Sequence, residues 1–279
     1  MIPAAFEYTR AATMADAVAA VGGGAKVIAG GQSLLPLLKL RLAAADRLVD
    51  IARIGELKGY RELPDGGVEI GALTTYSEWQ AATVMPSVAE AIEQIADVQV
   101  RNRGTIGGAI AHADPASDAA AIALAFDGQA VLRGPGGERV VPLDGFFEGP
   151  FQTGIRPDEI LVAIRRGPVP ADARFSYQKL AQPASGYPIV GIAAVIVASG
   201  GSISHAAIGV TGVHEHAYRA EDVEQALIGS DASDASIAAA AAHVTDGVEV
   251  NSDIHADAEY RAAMAVIYTR RAIEGALGR

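Results

Sequence analysis

The succession of hydrophobic and polar positions predicts a chain in which strands and helices follow one another from end to end. Short apolar runs or alternating stretches predict strands at 26–29, 48–51, 68–72, 130–133, 139–142, 159–165, 174–180, 189–199 and 202–213. Helical spacing predicts helices at 13–21, 34–41, 76–82, 87–96, 236–244 and 260–276, and another that follows Ser117 and runs to about 126. The last helix carries Tyr260, Met264 and Ile267 on one apolar face. The pattern predicts a protein that contains both helices and strands.

Interruptions of this pattern divide the chain into three predicted units, 1–57, 58–170 and 171–279. The second boundary falls beside Pro168 and Pro170, which cannot continue the preceding strand. The chain has 279 residues, half of them hydrophobic, which is enough for two or three compact domains and an ample core.

Composition excludes several classes of function. The net charge of -11 opposes binding to nucleic acid or to an anionic membrane. The absence of cysteine excludes disulfides and iron–sulfur clusters held by thiolates. The longest apolar run, 189–198, is too short to span a bilayer, and the N-terminus lacks a signal-peptide pattern. We therefore expect no transmembrane segment and a cytoplasmic location.

Two glycine doublets are candidate binding loops. Residues 29–33 (AGGQS) join a predicted strand to a predicted helix, and residues 105–109 (TIGGA) also precede a helical stretch. Such turns expose backbone N–H groups from which a phosphate can accept hydrogen bonds without a lysine or arginine. Neither loop matches the Rossmann or Walker patterns, and a simple tight turn is the alternative for each. Together they predict a site for the two phosphates of one dinucleotide.

Polar residues near the second doublet give less specific indications. Asp118 stands in the first turn of a predicted helix, where it either complements the positive helix end or accepts hydrogen bonds from ligand hydroxyls. We expect Arg101 and Arg103 to be solvated or paired, and His112 to be structural. The HEH sequence at 214–216 aligns two imidazoles, but no third ligand is evident nearby, so we expect no metal.

The stretches AGGQSLLPLLKLR (29–41) and RNRGTIGGAIAHADPASD (101–118) together are far more specific than either alone. They closely resemble the medium, FAD-binding subunit of the molybdenum hydroxylases, the family of xanthine dehydrogenase and aerobic carbon monoxide dehydrogenase. The resemblance extends to the C-terminal stretch 258–277 and so covers the whole chain. It implies the vanillyl-alcohol-oxidase (PCMH) type of FAD-binding fold, in which lobes 1–57 and 58–170 hold the dinucleotide and a C-terminal α+β domain, 171–279, follows.

The resemblance also assigns cofactor-binding residues. The first pyrophosphate loop would comprise Val27, Ile28, Ala29, Gly30, Gly31, Gln32, Ser33 and Leu34, and the second Thr105, Ile106, Gly107, Gly108 and Ala109. Asp114 belongs to the predicted site, Asp118 would contact the ribityl or ribose hydroxyls, and Leu161, Lys179 and Tyr187 match positions near the flavin in relatives.

Two positions depart from the family pattern. Gln32 stands where carbon monoxide dehydrogenase medium subunits usually have histidine, and Ala109 stands where many relatives have asparagine. The second change removes a side-chain contact but not the backbone loop. The lack of cysteine argues against the benzoyl-CoA reductase branch, whose flavin subunit holds an additional iron–sulfur cluster.

The resemblance implies an electron-transfer subunit. A molybdopterin-binding large subunit would oxidise the substrate, namely carbon monoxide, an N-heterocycle such as nicotine, or an aldehyde or purine. A small subunit with 2Fe–2S clusters would relay electrons to the FAD of this chain, which would pass them to an external acceptor. A dimer of heterotrimers is expected, and neither a catalytic side chain nor a metal is expected in this chain. The alternatives are a free-standing FAD oxidase of the same fold and an assembly subunit without cofactor.

Overall fold

The structure of the protein, a computed structural model, describes residues 2–279. The strands are β1 (Glu7–Arg10), β2 (Lys26–Ile28), β3 (Arg47–Asp50), β4 (Tyr60–Glu62), β5 (Val68–Gly71), β6 (Gln129–Gly134), β7 (Gly137–Pro142), β8 (Phe147–Gly149), β9 (Gln152–Thr153), β10 (Ile160–Arg166), β11 (Arg174–Ala181), β12 (Pro188–Ser199), β13 (Ser202–Thr211) and β14 (Tyr218–Arg219). The helices are α1 (Met14–Gly22), α2 (Leu34–Leu40), α3 (Tyr76–Ala82), α4 (Pro86–Glu93), α5 (Val98–Arg101), α6 (Ile106–His112), α7 (Asp118–Ala125), α8 (Glu221–Leu227), α9 (Asp234–Ala241) and α10 (Ala258–Ala276). The mixed helix-and-sheet fold is confirmed.

The N-terminal part is a small parallel sheet of order β1-β3-β2. Helix α1 begins with a capping box, in which the Thr13 hydroxyl accepts from the Asp16 N–H while the Asp16 carboxylate accepts from the Thr13 N–H. Its buried residues Met14, Ala17 and Val21 belong to the same core cluster as Val49 of β3. The carboxyl end of β2 leads directly into the first glycine loop.

The second sheet is antiparallel, in the order β4-β5-β10-β6-β7. The predicted strands at 130–133 and 139–142 are present as β6 and β7, which form a hairpin with Gly134 paired to Gly137. Strand β10 contributes side chains to two hydrophobic cores, one on each face of the sheet. Ile160 packs in the core of the N-terminal part, whereas Leu161 packs in the core that includes α6 and α7. This sheet therefore supports both glycine loops.

The C-terminal sheet is antiparallel, in the order β11-β12-β13-β14, and packs against helices α8, α9 and α10 through one core. Helix α7 lies against β12 and β13 on the other side, and all its residues are buried. A Cβ on Gly209 would lie 2.9 Å from the carbonyl carbon of Ala121, so glycine allows this close approach. The core cluster that contains α7 also includes Phe175 and Val195 of the C-terminal sheet, so it spans the second and third predicted units, whose boundaries remain a prediction.

The buried face of α10 differs from the predicted one. Tyr260 is 47% exposed and Ile267 is 39% exposed. The helix instead buries Arg261, Ala265, Thr269, Ala272, Ile273 and Ala276. Small side chains allow close packing, and the Arg261 guanidinium donates to the carbonyl oxygens of Ile189 and Gly212 at 2.6 and 2.7 Å, which compensates for its burial. Among residues 2–279, no helix is both long enough and apolar enough to cross a membrane.

Candidate cofactor site

The first glycine loop is an open row of hydrogen-bond donors. Within the part of the chain that the structure describes, none of the N–H groups of residues 30–34 donates to a protein acceptor. Gly31 has φ +73°, a conformation that glycine adopts without strain. The Gln32 side chain donates to the Gly30 carbonyl oxygen at 3.2 Å and so braces the turn. Unpaired amides at a half-exposed loop are suited to binding an anion.

Ser33 does not cap helix α2 with its side chain. Ser33 occupies the N-cap position of α2, but its backbone is already helical, with φ -99° and ψ -49°, and its side chain makes no capping hydrogen bond. An N-cap residue needs an extended backbone for its hydroxyl to reach the N–H groups of the first turn. The consequence is that these N–H groups remain available.

The two glycine loops meet in space. A Cβ built on Gly30 would lie 2.8 Å from the carbonyl carbon of Arg103, closer still to its oxygen, and 3.1 Å from the Cα of Gly104. Such distances exclude any side chain larger than hydrogen without backbone movement. The residues just before the second loop therefore form the wall of the first.

The second loop is the N-terminus of α6, and most of its amides are already paired. The N–H groups of Ile106 and Gly107 donate to the carbonyl oxygens of Thr74 and Ala72, at 3.1 and 3.0 Å. The Gly108 N–H donates to the Thr105 hydroxyl at 3.1 Å, and the Ala109 N–H donates to the Thr105 carbonyl. Thr105 is thus the N-cap of α6. This loop offers fewer free donors than the first.

Glycine is required at position 107 because the backbone there packs directly against Ala72. A Cβ at this position would overlap Ala72, approaching its Cα to 2.6 Å and its carbonyl oxygen to 2.7 Å. A side chain at position 107 would therefore point at Ala72 and not into the loop. Gly108 is half-buried, and a Cβ there would meet only Thr105.

Asp118 and Lys179 form a buried ion pair behind the loops. The Lys179 ammonium lies 2.8 Å from Asp118 Oδ1, and their side chains are 4% and 7% exposed. The Tyr177 hydroxyl donates to the same oxygen at 2.7 Å. Lys179 also donates to the carbonyl oxygens of Gln94 and Gly186, at 2.6 and 2.9 Å, so its three protons are used. Among the described residues, no side chain donates to Asp118 Oδ2.

Burial governs the titration of this cluster. Removal from water raises the pKa of Asp118, while the Lys179 ammonium and the Tyr177 hydroxyl oppose that rise by stabilising the carboxylate. Burial, reinforced by the Asp118 charge, also raises the pKa of Tyr177 well above its usual value. Tyr177 is therefore a neutral donor that fixes the carboxylate.

Asp114 and Tyr187 border the cluster. Asp114 Oδ1 accepts from the Ala116 N–H at 2.9 Å, which forms the turn that precedes α7. Tyr187 is 46% exposed, and its pKa is raised by burial and then by the charges of Asp114 and Asp118. Tyr187 is thus the accessible aromatic ring of this group.

The remaining predicted residues lie around these features. Val27, Ile28 and Ala29 are half-buried where β2 enters the loop, whereas Leu161 is 5% exposed within the core that also contains Ile106. Arg101 donates to the carbonyl oxygens of Ile95 and Ala96, so it has a structural role.

Sequence reasoning missed Tyr76 and the role of Tyr177. Tyr177 precedes Lys179 by two positions on β11, so both point to the same side of the sheet. That spacing was a usable signal. Tyr76 is buried at the start of α3, and its pKa is raised by burial and then by Asp118, but nothing in its local sequence indicates this position.

Two protein-family models match this arrangement. The model described as "FAD binding domain in molybdopterin dehydrogenase" matches residues 4–170, and "CO dehydrogenase flavoprotein C-terminal domain" matches residues 175–276. The chain therefore belongs to the FAD-binding flavoproteins of the molybdopterin dehydrogenases.

Similar proteins are medium chains of such dehydrogenases. The carbon monoxide dehydrogenase medium chain of Hydrogenophaga pseudoflava is 40% identical, over 100% of this chain and 99% of the relative. The glyceraldehyde dehydrogenase medium chain of Sulfolobus acidocaldarius is 34% identical, over 98% and 99%. A solved structure of carbon monoxide dehydrogenase from Hydrogenophaga pseudoflava, lacking the Mo-pyranopterin moiety, superposes with a TM-score of 0.96 at 41% identity, over 100% and 99% of the two chains.

The residues present fit FAD. A run of unpaired amides suits a pyrophosphate, and the wall at Arg103 and Gly104 admits only glycine at position 30. Asp118 Oδ2 accepts from no side chain among the described residues, and a carboxylate oxygen of this kind suits ligand hydroxyls.

Proposed function

We propose that this chain is the electron-transfer subunit of a molybdenum hydroxylase complex, receiving electrons from iron–sulfur clusters and delivering them to an external acceptor. The observation that carries the proposal is the open row of amides at residues 30–34, found in a chain of this family. Bound FAD would supply the redox chemistry, while the protein supplies binding and orientation.

The chain's own residues then have distinct tasks. The amides of residues 30–34 hold the pyrophosphate, and the second loop contributes through Thr105 and the half-exposed side of Gly108. Asp118 accepts from sugar or ribityl hydroxyls through Oδ2, and Lys179 fixes the carboxylate. The exposed Tyr187 ring would lie beside the flavin, and Leu161 would support the site from the core. None of these tasks requires a general acid or base, so no catalytic side chain is proposed.

The partners are proposed by analogy with the relatives. A large subunit with molybdopterin would oxidise the substrate, and a small subunit with 2Fe–2S clusters would relay the electrons, since this chain has no cysteine to hold a cluster. We propose a dimer of such heterotrimers in the cytoplasm. Relatives are named for carbon monoxide, glyceraldehyde, nicotine and xanthine, and we propose a substrate of one of these classes for the large subunit.

The test compares the purified complex with a complex that carries Gly30→Val in this chain. The wild-type complex should contain FAD, molybdenum and iron–sulfur clusters. The variant complex should lose FAD, and its substrate should still reduce the iron–sulfur clusters, while electron delivery to a dye acceptor stops. Gly22→Ala is the matched control, because a Cβ at Gly22 meets nothing within 4 Å.

Each alternative predicts a different result. Acceptor reduction that persists at full rate in the FAD-free complex would contradict an electron-transfer role. Substrate oxidation by this chain alone would favour the free-standing oxidase. A fully assembled, active wild-type complex without flavin would favour the assembly subunit.

A further inference from the structure

A cluster of potential metal ligands lies in the loop that joins β13 to β14. The ligand atoms of His214, Glu215 and His216 all lie within 4.8 Å of one another, and the two imidazole rings are 4.6 Å apart between centroids. The sequence-based expectation of no metal depended on the lack of a third ligand. The structure brings the Glu215 carboxylate together with both imidazoles, which supplies that ligand.

Hydrogen bonds fix which nitrogen each imidazole presents. His214 Nδ1 lies 2.6 Å from the Glu249 carbonyl oxygen, and His216 Nδ1 lies 3.0 Å from the Ala217 carbonyl oxygen. A carbonyl oxygen cannot donate, so each Nδ1 must carry the proton, and each Nε2 retains its lone pair. This is the arrangement by which proteins orient metal-binding histidines.

The backbone of this loop is held from several sides. Asn251 donates through its side chain to the His214 carbonyl oxygen at 2.6 Å and through its backbone N–H to Val213 at 2.8 Å. Arg261 holds the Gly212 carbonyl oxygen at 2.7 Å. The ligand-bearing loop is therefore positioned before any ion arrives, which lowers the entropic cost of binding.

We propose that His214, Glu215 and His216 form a Zn²⁺ site with three protein ligands and a fourth position for water. Two imidazoles and one carboxylate are a ligand set that Zn²⁺ accepts, and the carboxylate offsets part of the ion's charge. The ion would fasten the β13–β14 loop, which already holds Glu249 and Asn251 through hydrogen bonds. The bound ion would therefore restrain this loop of the C-terminal domain.

The test uses the full chain without a histidine tag, freed of metal by a chelator and titrated with Zn²⁺ in a calorimeter. Wild type should bind one ion. His214→Ala and His216→Ala should weaken binding by more than about 100-fold, and Asn251→Ala, an outer contact, by roughly 10- to 100-fold. Bound Co²⁺ should give the visible absorption of a tetrahedral site in wild type but not in His214→Ala or His216→Ala.

His243→Ala is the matched control, because His243 pairs with Asp246 at 2.7 Å on the surface elsewhere. Zn²⁺ should raise the thermal midpoint of wild type and His243→Ala but not of His216→Ala. Circular dichroism and FAD content of every variant exclude a folding defect. Absence of stoichiometric Zn²⁺ binding, or binding that survives both loop histidine changes, would overturn the proposal.

Discussion

In the described part of the chain, the first glycine loop leaves its backbone donors unpaired, whereas the second glycine loop and the Asp118–Lys179 pair behind it use their polar groups within the protein. The amides of residues 30–34 have no acceptor among the described residues, whereas four amides of residues 105–109 are bonded within the protein, as is the Asp118–Lys179 pair. Glycine is therefore required in the two doublets for different physical reasons. Gly30 allows one loop to approach another, and Gly107 allows α6 to pack on Ala72. A doublet identifies a ligand loop only where internal acceptors are absent.

Of the changes considered, removing the Lys179 charge should have the largest effect on stability. Lys179→Met leaves a buried carboxylate without its cation, so we expect a loss of about 3–5 kcal/mol in the free energy of unfolding at pH 7. Chemical denaturation measures this loss. Lys58→Met, at an exposed lysine, is the control and should change little.

The pH dependence of this loss tests its cause. Burial raises the pKa of Asp118 above its ordinary value of 3.8, so the folded chain holds this proton more tightly than the unfolded chain does. The contribution of Asp118 to stability therefore falls as pH rises from 3.8 through the raised value. The penalty of Lys179→Met should be smaller at an acid pH below the raised pKa of Asp118, where this carboxyl group is neutral, than at pH 7. An equal penalty at both pH values would contradict the charge explanation.

Gly107→Val should have the second-largest effect on stability. Its side chain would overlap Ala72 in the core, and we expect a loss of roughly 3 kcal/mol in the free energy of unfolding. FAD would be lost only as far as the fold is lost. A Gly107→Val chain of normal stability without FAD would show that position 107 serves the ligand and not packing.

Gly30→Val should separate binding from folding. The loop is half-exposed and can move away from Arg103, so stability should change less than in Gly107→Val. The displaced amides should weaken FAD binding by at least about tenfold, or 1.4 kcal/mol. Equilibrium titration with FAD measures this change, and Gly22→Ala should match wild type. Unchanged affinity in Gly30→Val would show that contact between the loops is unnecessary.

Tyr187→Phe should have the smallest effect. The ring remains and its hydroxyl is not needed to hold Asp118, so FAD affinity and stability should change by less than about 0.5 kcal/mol. Tyr187→Ala removes the ring and should alter the flavin spectrum or the rate of acceptor reduction more than FAD affinity. Equal loss of affinity and rate would contradict placement of the ring beside the flavin.

Local patterns were sufficient for much of the fold. The helices predicted at 13–21 and 76–82 and the strands predicted at 130–133 and 139–142 follow from nearby sequence alone. The buried face of α10 could not be predicted in this way. Arg261 can be buried because it donates to carbonyl oxygens of residues far away in the chain. The same reason applies to the site. Which amides are free depends on hydrogen bonds to residues distant in the chain, and these bonds cannot be predicted from the local sequence.

Hydrogen exchange resolved to single amides, in the FAD-free chain before and after FAD is added, tests the central claim most directly. We predict that the amides of residues 30–34 exchange rapidly without FAD and become strongly protected with it, while residues 106–109 are protected in both states. Protection that rises at 106–109 and stays unchanged at 30–34 would contradict the account.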